Sequence, residues 1–228
     1  MSLDFEPLEY ADLTALTYRA IRGRILHRQL KSGDQIPIDV IAAAIGVSRT
    51  PVVDALKQLA SEGLVEIRPR RGSFVRTLHA QDIREMFEIR EVIELHCARK
   101  AASAPAPALV ERLFSALEQM CAATKGDIYT DYDSFIEWDQ NFHIAIVESS
   151  NNSQIQEIYS RLKVHMHIAR SHHITPLETP IDVHREHRSI AEAIAVGSPE
   201  KAAVAVATHL SAVKRQFIIN IEEAGGVL

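Results

Sequence analysis

The 228-residue chain contains no run of 18 apolar residues, so no segment of it is a candidate to span a membrane. It has only two cysteines, Cys97 and Cys121, each within a helical pattern. They make neither a disulfide framework nor a paired metal knuckle, and a reducing cytoplasm fits them best. The opening MSLDFEPLEY carries acids and no positive stretch, unlike a secretory signal. Internal repeats and low-complexity tracts are absent, and so is net positive charge, the formal total being −5. What the chain has is 46% hydrophobic residues, enough for a substantial core in one or two domains. Its charge is also uneven. Residues 13–78 hold 11 Lys and Arg against 5 Asp and Glu, a net +6. Residues 79–228 hold 14 against 21, a net −7, along with ten of the eleven histidines. A basic module joined to an acidic one points to a polyanionic partner for the first only.

The first module reads as three helices and a hairpin. ADLTALTYRAIRGRILHRQL places Leu13, Leu16, Ile21, Ile25 and Leu26 in an approximate helical stripe, and KSGD breaks it. PIDVIAAAIG is a short helix started by Pro37 and ended by Gly46. A third helix, SRTPVVDALKQLASEGL, takes Ser48 as N-cap, tolerates Pro51 in its first turn and stops at Gly63. Val52, Leu56 and Leu59 form its buried stripe, so Arg49, Thr50, Val53 and Lys57 point elsewhere. Val65 to Ile67 and Ser73 to Val75 read as short strands joined by the basic turn RPRRG. Three helices and a basic hairpin predict a winged helix-turn-helix. In such folds the third helix enters the major groove with its N-terminal residues nearest the bases.

The stretch IGVSRTPVVDALKQLASEGLVEIRPRRGSFV resembles the winged helix of the GntR family of bacterial transcription regulators. Its SRTPV, AL..L..EGLV and RG..V elements match in order and spacing, over roughly residues 14–76. The resemblance implies that Ser48, Arg49, Thr50, Arg71 and Gly72 contact DNA. Lys57, on the outward side of the same helix, is expected to add binding that is uniform across sequences. One position departs from the family, which usually has arginine after the TPV triplet where this chain has Val53. Val53 can touch a thymine methyl instead, so a different operator preference is expected.

After Leu78 no strand pattern appears. Helices are expected at about 80–102, 106–124, 130–150, 153–173, 181–196 and 199–222, with breaks at APAP, KGD, SSNN, ITPLETP and GSP. The fold class is thus mainly α, a winged helix followed by an antiparallel helical bundle.

Within the bundle, 100° per residue tells which side chains face inward. Phe135, Trp138, Phe142 and Ile146 share an arc, and Asp139 lies inside it with His143 one turn on. His187 sits among Val183, Ile190, Ala191 and Ile194, and His209 among Ala202, Ala205, Val206 and Val213. Three helices therefore turn a metal-competent residue inward. A buried carboxylate is costly unless paired or metal-bound. Spacing alone leaves two readings, a metal site and a set of hydrogen-bonded core histidines with an Asp139–His143 pair. Arg90 and Glu94 also lie on an inward stripe, with Ile83, Phe87, Cys97 and Ala101. They read either as a buried pair or as an arginine held ready for a ligand carboxylate. His165, His167, His172 and His173 are read as surface or pocket-lining residues.

WDQNFHIAIVESSNN, EHRSIAEAI and ATHL resemble the D..FH, EH..I..AI and A...H elements of the helical FCD effector domain of FadR-type members, over about residues 80–222. That domain often binds a divalent metal, and the resemblance implies Asp139, His143, His187 and His209 as ligands. Six helices match its smaller variant. Imidazole-rich sets suit zinc, nickel, copper or iron, with zinc or nickel the first expectation here. No HExxH, nucleophile elbow or Gly-rich phosphate loop accompanies the set, and no base lies outside it, which argues against an enzyme. The expectation is a DNA-binding domain at 9–77 and a metal, effector and dimerisation domain at 78–228. Together they would form a cytoplasmic homodimeric repressor that reads a palindromic operator and answers to a small organic acid, with Arg90 as its effector-binding residue, or, as the alternative, to the metal ion itself.

Overall fold

A computed structural model describes residues 13–27, 29–171, 179–223 and 225–226. The chain divides into two compact units, one ending at Thr77 and the other beginning at Leu78.

The first unit holds helices α1 (Leu13–Leu26), α2 (Ile38–Ile45) and α3 (Arg49–Ser61), then strands β1 (Val65–Arg68) and β2 (Gly72–Val75). Helix α2 stops because Gly46 takes φ 72, and its N–H closes onto the Ala42 carbonyl. Helix α1 packs on α3 through Thr17, Ile21 and Ile25, each one turn after the last. Leu13 and Leu16, expected on this stripe, are instead 42% and 49% exposed. Leu13 opens the helix before its packed turns begin, and Leu16 lies about 100° off the Thr17 line. Helix α3 buries Val52, Ala55, Leu56 and Leu59. The strands pair antiparallel from Val65–Val75 to Arg68–Gly72, which leaves Pro69, Arg70 and Arg71 as the loop. The α1–α2 connection braces the hairpin, with Ile36 donating to Ser73 O and Val75 to Asp34 O. At Gly72, φ is 109, a conformation that strains any residue with a side chain, and an added Cβ would also press on the Gln35 side chain at 3.0 Å.

The second unit contains six helices among the described residues: α4 (Ala80–Ser103), α5 (Pro107–Ala122), α6 (Tyr132–Glu148), α7 (Ser153–Ser171), α8 (Pro180–Ala195) and α9 (Pro199–Glu223). Asp131 caps α6 by accepting from Ser134 N, and Thr179 caps α8 by accepting from Asp182 N. Helix α4 runs along α9, α5 packs on α6 and α8, and α8 packs on α9. Phe87 and Phe217 meet between α4 and α9 at 5.9 Å. This unit also contains strand, contrary to expectation: β3 (Thr124–Lys125) and β4 (Ile128–Tyr129) form a small antiparallel hairpin. Two-residue strands are too short to show alternation in sequence. No described helix is long and apolar enough to cross a membrane. The side chains of His165, His167, His172 and His173 lie outside the described part, as do residues 9–12.

Candidate functional site

Helices α6, α8 and α9 bring four side chains to one point. Asp139 and His143 are 2% exposed, and His187 and His209 are 0%. One ligand atom from each lies within 4.8 Å of all the others. His187 Nε2 is 3.3 Å from His143 Nε2 and 3.2 Å from Asp139 Oδ1. Phe142 closes one side, its ring edge-on to His187 at 4.8 Å.

The second nitrogen of each imidazole determines what the first can do. His187 Nδ1 is 2.8 Å from the Val183 carbonyl, which can only accept. His143 Nδ1 is 2.8 Å from Glu94 Oε2, and His209 Nδ1 is 2.9 Å from Glu186 Oε2. Each Nδ1 therefore carries the hydrogen in the neutral ring, and each Nε2 presents a lone pair to the shared centre. Burial holds the His143 and His209 pKa values below the ordinary imidazole range, so their neutral forms are favoured. A proton on His187 Nε2 would satisfy Asp139 yet do nothing for His209 Nε2, which is buried without a hydrogen-bond partner among the described residues. One divalent cation would meet all four donors at once, and three imidazoles with one carboxylate are a donor set suited to it. The residues present thus fit a metal.

Around His143 lies a dry network. Glu94 Oε1 accepts from Arg90 Nε at 2.6 Å and from the Tyr159 hydroxyl at 2.7 Å, while Oε2 takes His143 Nδ1–H. Burial alone would raise the Glu94 pKa, but Arg90 and His143 pull it down to about 2. Burial opposes the charge on Arg90, and Glu94 more than restores it, so its pKa stands above the ordinary value. Of the two sequence readings of Arg90, the buried pair is formed in the structure. The sequence paired Glu94 only with Arg90, and it offered no role for Tyr159 or Glu186.

On the first unit, the structure leaves Ser48, Arg49, Thr50 and Lys57 exposed at and along α3, with Val53 half-buried. Ser48 occupies the N-cap position but its side chain makes no cap hydrogen bond. Arg49 meets Asp39 at 3.0 Å, and Lys57 meets Asp54 at 2.8 Å. Arg71 is exposed on the hairpin loop, next to Gly72. Arg68 pairs with Glu66 and lies over the Phe74 ring at 4.5 Å.

A winged helix followed by a helical bundle is the architecture of a DNA-binding transcriptional regulator. Residues 13–75 match the model for bacterial regulatory proteins of the gntR family, and residues 85–212 match the FCD domain. The chain belongs to the GntR family, among the members that carry an FCD domain. An uncharacterized HTH-type transcriptional regulator in an unstable DNA locus of Streptomyces ambofaciens is 30% identical over 196 residues, 86% of this chain and 81% of that one. The HTH-type transcriptional repressor RspR of Escherichia coli K12 is 28% identical over 193 residues, 85% and 83% of the two chains. A GntR regulator structure from Rhodococcus sp. RHA1 shares the fold with a TM-score of 0.75 at 23% identity, covering 91% of this chain and 98% of that one. The family and these relatives are regulators of transcription, not enzymes.

Proposed function

We propose that the protein is a homodimeric, cytoplasmic repressor. Its helical unit holds a divalent metal, zinc or nickel, through Asp139, His143, His187 and His209. A small organic acid bound there loosens the grip of two winged helices on a palindromic operator. The observation that carries the reading is the buried Nε2 of His209, without a hydrogen-bond partner among the described residues, beside the Nε2 atoms of His187 and His143, which lie 3.3 Å apart. Ser48, Arg49, Thr50, Val53, Lys57, Arg71 and Gly72 form the DNA-reading set, and the exposure of the α3 and loop side chains supports that assignment. The repressor sign is supported by the relative named a repressor.

A divalent metal held by these four protein ligands would keep a position for a carboxylate only by taking five or six ligands, since four donors already fill a tetrahedral zinc. Arg90 is the candidate second hand for the acid, since Glu94 engages its Nε and a guanidinium carries five donors. Effector and DNA are then linked. An acid that weakens operator binding tenfold binds the DNA complex tenfold less tightly, about 1.4 kcal/mol of coupling.

Calorimetry of small carboxylic acids, with and without chelator and beside an operator gel shift, tests the reading. The variant is Arg90→Lys, which keeps a charge for Glu94 and removes the planar fork. The expected outcome is acid binding that needs metal, weakens in the variant and releases the operator. Undiminished acid binding in chelated protein contradicts it, and operator release by metal alone would make the metal the signal.

A further inference from the structure

We infer that Glu186 is a positioning residue for the metal centre, acting through His209, an inference that rests on the metal reading above. Its sequence neighbour His187 hides this role. Successive residues on a helix diverge by about 100°, so Glu186 and His187 cannot both face the centre. His187 takes the inward direction, at 0% exposure. Glu186 leans across the α8–α9 contact and places Oε2 2.9 Å from His209 Nδ1. The dipeptide EH thus serves two ligands on two helices.

The three imidazoles are oriented by different means. His187 is held by a backbone carbonyl one turn back on its own helix. His143 is held by Glu94, itself fixed by Arg90 and Tyr159 in a fully dry network. His209 is held by Glu186, whose side chain is 18% exposed. Without the Glu186 acceptor, the His209 ring can rotate, or carry its hydrogen on Nε2 and lose the lone pair a metal needs. The negative charge also strengthens His209 as a donor, by opposing the charge that develops on Nδ1–H when Nε2 ligates. Because Glu186 reaches solvent, it can be changed without opening the dry network around Glu94.

The experiment uses the full chain with zinc as probe, titrated against a chromogenic chelator. It compares wild type, Glu186→Gln, Glu186→Ala and Glu192→Ala, an exposed acid further along α8 that controls for lost charge. Cobalt absorption spectra report the ligand geometry, and melting of the chelated proteins reports the fold. Glu186→Ala is expected to lose about 10–100-fold in zinc affinity. Glu186→Gln should lose less, because its amide oxygen still accepts from Nδ1–H. Glu192→Ala should lose nothing, the cobalt spectrum should change only in the Glu186 variants, and all chelated proteins should melt together. Zinc affinity of Glu186→Ala equal to wild type overturns the inference and leaves the metal reading standing. Equal losses in all three variants, or a lower melting temperature with unchanged affinity, overturn it too. If wild type binds no divalent ion, the metal reading falls and this inference with it.

Discussion

The two units hold their functional side chains in opposite ways. On the first, Arg49 and its partner Asp39 are 67% and 72% exposed, and Lys57 and Asp54 are 65% and 43% exposed. Exposed pairs of this kind contribute about 0–1 kcal/mol and weaken with salt. Such side chains can exchange a carboxylate for a phosphate or a base edge at little cost. On the second, four side chains sit almost wholly out of water, and each imidazole is fixed from behind by an acceptor. That arrangement is costly to assemble and fixed once assembled. The difference is the one the proposed function requires, a reading surface satisfied by its partner and a centre preorganised for an ion.

The sharpest way to break this contrast is to remove a support from the dry side. Glu94→Ala leaves Arg90 charged and unpaired in the core and takes the acceptor from His143. A loss of about 3–5 kcal/mol in urea unfolding is expected. A loss below 1 kcal/mol would mean the network is wetter than described.

The exposed side should behave differently. Arg49→Ala should cost about 1–3 kcal/mol of discrimination at one base pair per half-site, with little change in folding stability. Titration against operator and scrambled duplex checks it, and equal weakening of both would remove Arg49 from the base readers. Lys57→Ala should weaken all sequences alike and flatten the log–log salt dependence by about 0.9 per lost phosphate contact. An unchanged slope would mean that Lys57 remains with Asp54 in the complex.

The smallest effect concerns the hairpin loop, where Arg70 has φ 62. A non-glycine residue in this left-handed region is strained, and asparagine tolerates it better. Arg70→Asn should therefore raise stability by up to about 1 kcal/mol in thermal unfolding, and a fall in stability would contradict the strain.

Much of this was legible in the sequence because helical periodicity is a local signal. The angular position of Asp139 among Phe135, Phe142 and Ile146 foretold its burial, as did those of His187 and His209. The same rule placed Arg90 and Glu94 inward. What it could not supply was which inward groups meet across helices. The contacts of Glu186 with His209 and of Tyr159 with Glu94 join elements 23 and 65 residues apart, and no periodicity encodes them. Glu186 did leave a trace, since it is the acid of the EH..I..AI element. The first helix differs from expectation at Leu13 and Leu16, which stay exposed because the buried line of α1 runs through Thr17, Ile21 and Ile25.

The central claim is that the dry centre of the second unit is built for a cation. Elemental analysis of the purified protein tests it directly, beside His187→Ala, His209→Ala and the double variant, with helicity followed by circular dichroism. The predicted result is about one divalent ion per wild-type chain, reduced occupancy in each single variant, none in the double variant, and helical content preserved throughout. Equal metal content in wild type and the double variant, or a wild type that takes up no divalent ion when one is supplied, would contradict the account.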